Sequence, residues 1–277
     1  MPEDNLQGGW LPLRSLVTRS GARIDYLDEG TGPVTVVLLH GNPSVPWVYQ
    51  SFITTAAQSG VRAIAIDWYG DSDRPWGGYN ISGYADQAKE LLDMLNLQRV
   101  HLAGHSLGGV TGLVFTLRYP ERLSGLSLVG TGASPSGHGT IPKMLTMFAG
   151  EEPQESILRS HIAMSYGTAP EPDVQRFYVE HLTKKPMAVY AEAMRSTLDY
   201  ELEGELARID VPTQILHGSA DTGRTVGHAE ALHELIRDSE LTFVDSGHYV
   251  MEERPEEFTS LVLDFVARRG PTTGVAP

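Results

Sequence analysis

The decapeptide VHLAGHSLGG, residues 100–109, limits the possible fold more than any other stretch of the chain. Val100, Leu102 and Ala103 suit a sheet interior, and then Gly104, Ser106 and Gly108 fall at every second position. A strand that becomes a helix within so few residues strains its central residue and crowds the neighbouring backbone. Residues without a Cβ therefore belong on either side. Gly104-His105-Ser106-Leu107-Gly108 fits Gly-x-Ser-x-Gly between a strand and a helix, the context in which that pattern lifts a serine hydroxyl clear of a sheet. The Leu107 amide then stands at a helix N-terminus, where it can point at an oxyanion. Ordinary turns also match the bare pattern, so partners elsewhere in the chain must support it.

The rest of the chain alternates strand and helix. Residues 13–30 read as two short strands around a Ser-Gly turn, followed by the apolar run TVVLLHG from Thr35. A helical stretch near residues 47–59 precedes the buried run VRAIAID, which ends at Asp67, and residues 82–97 have helical spacing. A helix over 107–119 and the strand LSGLSLVG complete this half. Such alternation predicts a parallel sheet covered by helices. After Gly130 the rhythm breaks, and residues 142–206 show only helical patterns. It resumes with TQILHG at Thr213, a helix near 229–236, the strand LTFVD and a last helix from Pro255 to Arg268, with the tail GPTTGVAP expected to be unstructured.

A serine hydroxyl needs a base, and the base needs an orienting group. Of the ten histidines, His248 lies between the last strand and the last helix, in VDSGHYVMEERP. His217 at a strand end is its chief rival, His40 suits a turn, and His105 should point into packing. Asp221, in LHGSADT after the penultimate strand, is the candidate acid, with Asp245 and Asp67 as alternatives. Ser106, Asp221 and His248 each follow a different strand, where ligands collect in open parallel sheets. Their order along the chain matches one arrangement of a Ser-His-Asp triad.

With no cysteines among 277 residues, disulfides, thiolate metal sites and a cysteine nucleophile are excluded. A formal net charge of -14 disfavours nucleic acid and anionic membranes as partners. The first residues lack a basic region followed by an apolar core, and no apolar run approaches ~20 residues, so a cytoplasmic protein is expected. No cofactor and no metal are called for, and the oligomeric state is not legible.

The strand-end motifs HGNP, GHSLGG, HGSAD and SGH, in that order, resemble the α/β-hydrolase fold family over nearly the whole chain. The resemblance implies an α/β fold: an eight-stranded, mostly parallel sheet with helices on both faces and a helical cap inserted after strand six. The core would be residues 1–133 and 208–277, the cap 134–207. It also implies an oxyanion hole from the backbone amides of Leu107 and Asn42. The HGNP version looks like that of haloalkane dehalogenases and epoxide hydrolases. Those enzymes attack with an aspartate, whereas this chain has Ser106, and the dehalogenase tryptophan after the nucleophile is replaced by Leu107. Dehalogenase chemistry is therefore rejected.

The expected activity is a serine hydrolase acting on a neutral, largely apolar carboxylic ester or lactone. Trp47, Trp68, Tyr69, Met144, Phe148 and Tyr166 are the candidate pocket residues, and no arginine pair or histidine cluster marks an anionic substrate. Three alternatives stay open: a carbon–carbon hydrolase of a diketone, with Arg159 or Arg195 for a carboxylate; a thioesterase or perhydrolase; and a non-catalytic hydrolase-fold receptor.

Overall fold

A computed structural model describes residues 9–19, 21–69, 76–136, 138–150 and 154–269. Eight strands form one sheet: β1 (Arg14–Val17), β2 (Arg23–Glu29), β3 (Val34–Leu39), β4 (Val61–Asp67), β5 (Val100–His105), β6 (Leu123–Val129), β7 (Thr213–Gly218) and β8 (Ser239–Val244). Their order is β1-β2-β4-β3-β5-β6-β7-β8. Only β2 pairs antiparallel, with β1 and β4, and every other pairing is parallel. Every residue of β5 and β7 is buried. Successive side chains of a strand point to opposite faces, so both faces of the sheet are covered.

The covering helices are α1 (Gln50–Gln58), α2 (Ile81–Met94) and α3 (Leu107–Arg118). Their apolar positions give each a buried stripe, such as Tyr84, Ala88, Leu91 and Leu92 on α2. Asn80 caps α2 by accepting from the Gly83 amide. From β3 the chain steps outward to β4 in one direction and to β5 in the other, which opens a crevice at the carboxyl ends of the strands.

Between β6 and β7 lies the helical insertion: α4 (Ile141–Phe148), α5 (Gln154–Ser165), α6 (Pro172–Leu182) and α7 (Met187–Ser196). Pro142 and Pro172 sit in the first turns of α4 and α6, where a missing N–H costs nothing. The chain returns through 3-10 turns at Thr197–Asp199 and Glu203–Arg208, then α8 (Val226–Leu235), α9 (Val250–Glu253) and α10 (Pro255–Arg269) complete it. Sequence periodicity misses α9 because one helical turn shows no period. The tail from 270 lies outside the described residues. Among those residues no helix is long and apolar enough to cross a membrane.

The turn from β5 into α3 is too tightly packed for side chains at its glycines. A Cβ on Gly108 would meet the Leu39 carbonyl oxygen at 2.2 Å, and one on Gly104 would meet the Gly108 oxygen at 2.3 Å. Neither contact is with a movable side chain. Gly108→Ala should therefore destabilise the protein by at least about 1–3 kcal/mol, the usual cost of overpacking a core. Urea unfolding measures it, and a variant as stable as wild type contradicts this packing.

Candidate active site

Ser106 leaves β5 with φ 53° and ψ -116°, a conformation that few residues other than glycine adopt. Its backbone is fixed on both sides. The N–H donates to the Val129 carbonyl at 2.9 Å, and the carbonyl accepts from the amides of Gly109 and Val110 and from Thr131 Oγ1. The sheet thus presents Ser106 at the carboxyl end of β5, next to its neighbour β6.

Asp221 and His248 follow β7 and β8 in the same crevice. His248 Nδ1 donates to Asp221 Oδ2 at 2.6 Å, and Asp221 Oδ1 accepts from the amides of Gly223 (2.8 Å) and Arg224 (3.0 Å). Both carboxylate oxygens are occupied. Burial pushes the Asp221 carboxyl up, but the facing imidazole and the Arg224 amide outweigh it and hold it well below the ordinary carboxylate range. With Nδ1 turned to a carboxylate, Nε2 is the ring atom left to exchange a proton.

Ser106, His248 and Asp221 border one cavity of about 50 Å³. Asn42 and Leu107 border it too, and neither backbone N–H bonds to another described residue. Asn42's side chain is spent elsewhere: Nδ2 donates to the Tyr190 carbonyl of α7 at 3.0 Å, and Oδ1 accepts from Tyr69. Such a set can activate a hydroxyl and bind an oxyanion. Among the described residues no group of His, Asp and Glu is arranged to hold a metal ion.

The rivals His217, Asp245 and Asp67 do not border this cavity, whereas His105 does. His217 is buried with Nε2 toward the Arg224 carbonyl at 2.7 Å. Asp245 is 94% exposed and pairs with Arg254. Asp67 is buried between His181 and His40, and His105 packs under His248 with Nε2 3.0 Å from its carbonyl.

Of the expected pocket residues, only Met144 borders this cavity. Trp47 instead donates to the Leu11 carbonyl and packs on Phe177 and His181. Trp68 donates to the His40 carbonyl and lies against Tyr84. Tyr69 stands one layer back, holding Asn42. Phe148 is buried within the insertion, and Tyr166 stacks at 4.2 Å on Tyr249, the residue that does border the cavity. These rings fill space and satisfy polar groups behind the crevice wall. Arg159 pairs with Glu155 on the surface, and Arg195 is exposed.

The cavity's apolar wall comes from Leu107, Val110, Ile141, Met144, Met164 and Met194. The remaining lining corrects an expectation, because it includes histidines and an arginine: His138, His161 and Arg224, with Thr140. Burial holds His161 near about 4 and His138 near about 3, the charge of Arg224 adding to the effect on His138. The visible signal for His138 and Arg224 was their place in loops that follow strands. Sequence periodicity says nothing about which loop residue turns inward.

Polar bonds fasten the insertion to the loops that carry these groups. His248 N–H donates to the Ser165 carbonyl at 3.1 Å. His181 on α6 lies 3.1 Å from Asp67. Glu252, on α9, accepts from Tyr178 at 2.5 Å and from Tyr166, so one carboxylate ties two insertion tyrosines to the turn after His248. Burial pushes Glu252 up to about 7 despite these two donors.

Residues 34–255 match the family model of the alpha/beta hydrolase fold. A 2-hydroxy-6-oxononadienedioate/2-hydroxy-6-oxononatrienedioate hydrolase of Escherichia coli is 30% identical over 273 residues, covering 89% of this chain and 91% of that protein. The AB hydrolase superfamily protein YisY of Bacillus subtilis is 28% identical, over 83% of this chain and 90% of its own. An esterase from Exiguobacterium antarcticum superposes with a TM-score of 0.82 at 24% identity, over 91% of this chain and 98% of that one, a likeness of fold.

Glu252 makes stability depend on pH with a definite sign. Its carboxyl ionises near 4.5 when unfolded and about 7 when folded, so between those values the folded state holds more protons. The contribution of this carboxyl to stability should fall as pH rises through that window, by at most about 1.4 kcal/mol per pH unit, against the rise contributed by buried neutral histidines such as His138 and His161. Glu252→Gln should therefore gain stability relative to wild type between about pH 5 and about pH 7.5. Urea unfolding of both proteins at the two pH values measures it, and a difference between them that does not change with pH would contradict the assignment.

Proposed function

This chain belongs to the α/β hydrolase fold family, and on that premise we propose that it is a serine hydrolase of a carboxylic ester or lactone. The observation that carries the reading is the 2.6 Å bond between His248 Nδ1 and Asp221 Oδ2, beside a serine held at φ 53° in the same cavity. In this reading Ser106 Oγ attacks the acyl carbon as His248 Nε2 takes its proton. The amides of Leu107 and Asn42 bind the oxyanion, and Asp221 steadies the imidazolium. His248 then gives its proton to the leaving alkoxide. Water, deprotonated by His248, attacks the acyl-enzyme and releases the acid and free Ser106.

Residues 134–207 act as the cap over the core formed by 1–133 and 208–277, and the methionine-bearing wall receives the acyl group. A water-sized group occupies at least ~10–15 Å³ by the measure in which this cavity is about 50 Å³, so a compact, largely apolar acyl group fits best. Carbon–carbon hydrolysis of a diketone is the second reading, favoured by relatives named as hydrolases of 2-hydroxy-6-oxo acids, 28–30% identical over 89–91% of this chain. Arg159 and Arg195 lie off the cavity but Arg224 borders it, so the arginines do not decide between the two readings.

A fluorophosphonate should label Ser106 alone, and Ser106→Ala should lose label and activity while staying folded. Asp221→Asn should keep the fold yet lower kcat by about 10⁴, the cost of a misdirected imidazole tautomer in a serine protease. A label on another serine, or full activity in Asp221→Asn, would refute the triad.

Acyl length is a separate measurement. In a series of ethyl esters, kcat/KM should rise by up to about fourfold per added methylene from acetate and fall after a few carbons. A monotonic rise to long chains contradicts the small cavity, and turnover of a diketone with none of any ester or lactone favours the second reading.

A further inference from the structure

Arg224 is 3% exposed, three residues after Asp221, and borders the cavity. Its backbone is fixed by the bond from its amide to Asp221 Oδ1 and by His217 Nε2 on its carbonyl. The side chain is far less committed. Nη1 donates to the Ser134 carbonyl at 2.6 Å, while Nε is buried with no partner among the described residues. A guanidinium has five N–H donors. No carboxylate among the described residues forms an ion pair with it, in a chain with 35 Asp and Glu against 21 Lys and Arg. Asp221 is near enough to favour its charge, but both oxygens of that carboxylate are already engaged.

Burial lowers Arg224 only to about 10, so it stays cationic at neutral pH. A buried charge without a paired partner is costly, and a planar donor fork suits a carboxylate. His138 borders the same cavity, near enough for the Arg224 charge to act on it. Its Nδ1 accepts from the Thr140 amide at 3.3 Å, which leaves the proton of the neutral ring on Nε2, without a partner among the described residues. Val110, Ile141 and Met144, suited to an aliphatic stem, line the same cavity.

We propose that Arg224 and His138 form an anion-recognition subsite, and that the ester or lactone opened at Ser106 carries a free carboxylate on its Asp221 side. This deepens the serine-hydrolase reading and rests on it for the bond that is cut, and it replaces the expectation of a neutral substrate. The plainer role for Arg224, a staple on the Ser134 loop, is indifferent to the charge of a ligand.

Monoethyl succinate and the neutral ethyl succinamate, nearly equal in size, separate the two. Wild type should prefer the half-ester in kcat/KM by about ten- to a hundredfold, the worth of a hydrogen bond to a charged group. Arg224→Gln keeps a donor for the Ser134 carbonyl and should bring that ratio close to one. The ratio cancels any general loss from disturbing Asp221. Arg224→Lys should retain part of the preference. Calorimetric binding of the same two esters to Ser106→Ala repeats the comparison without turnover.

A wild-type ratio near one, or an undiminished ratio in Arg224→Gln, overturns the subsite. If Arg224→Gln does not fold, wild type decides: succinate should raise its melting temperature and succinamide should not, and equal effects overturn the subsite. Selective binding of the half-ester to Ser106→Ala, with no turnover of either ester by wild type, supports the subsite and counts against the hydrolase reading alone.

Discussion

At Ser106 the chain turns from the central strand into a helix with a non-glycine residue at φ 53°, a conformation that costs about 1–3 kcal/mol and survives only where its surroundings enforce it. The enforcement comes from the hydrogen bonds to Val129, Gly109, Val110 and Thr131, and from backbone that passes too close to Gly104 and Gly108 for any side chain. Parallel pairing of β3, β5 and β6 brings the three strand ends together. Without that packing Ser106 relaxes into an ordinary turn and its hydroxyl loses its place above the sheet.

The groups around Ser106 are positioned jointly by the core and the insertion. Asp221 is fixed by two backbone amides and in turn fixes His248. The His248 amide is bound to Ser165 at the end of α5, and the Asn42 side chain to Tyr190 on α7. Moving the insertion therefore disturbs the loop carrying the imidazole and the loop carrying Asn42 together. Glu252, Asp67 and their tyrosine and histidine partners add polar fastenings whose strength depends on protonation.

Much of the sheet was legible because its strands are either continuous apolar runs, such as VTVVLL, or short segments bounded by glycine, and its helices have buried stripes. The convergence of Ser106, Asp221 and His248 on one cavity was legible for a related reason: each lies in the turn or loop that follows a strand, so its position in the fold follows from the strand order. Pocket walls were not. Trp47, Trp68 and Tyr69 also follow strands, but whether a ring faces the cavity or turns back onto a carbonyl depends on a local hydrogen bond, here to Leu11, His40 and Asn42. Arg224 escaped notice because burial of a lone arginine beside Asp221 is a tertiary fact with no sequence period.

The most direct test of the account is to catch the acyl group on the protein. Mixing the enzyme with ethyl butyrate, quenching in acid within one turnover and mapping the mass increase by peptide should place a butyryl group on Ser106 and on no other residue. In His248→Ala the adduct should be missing, because the serine then has no base. A butyryl group on another residue, or rapid ester cleavage in which Ser106 stays unmodified at every quench time, would contradict the central claim that this strained serine is the nucleophile.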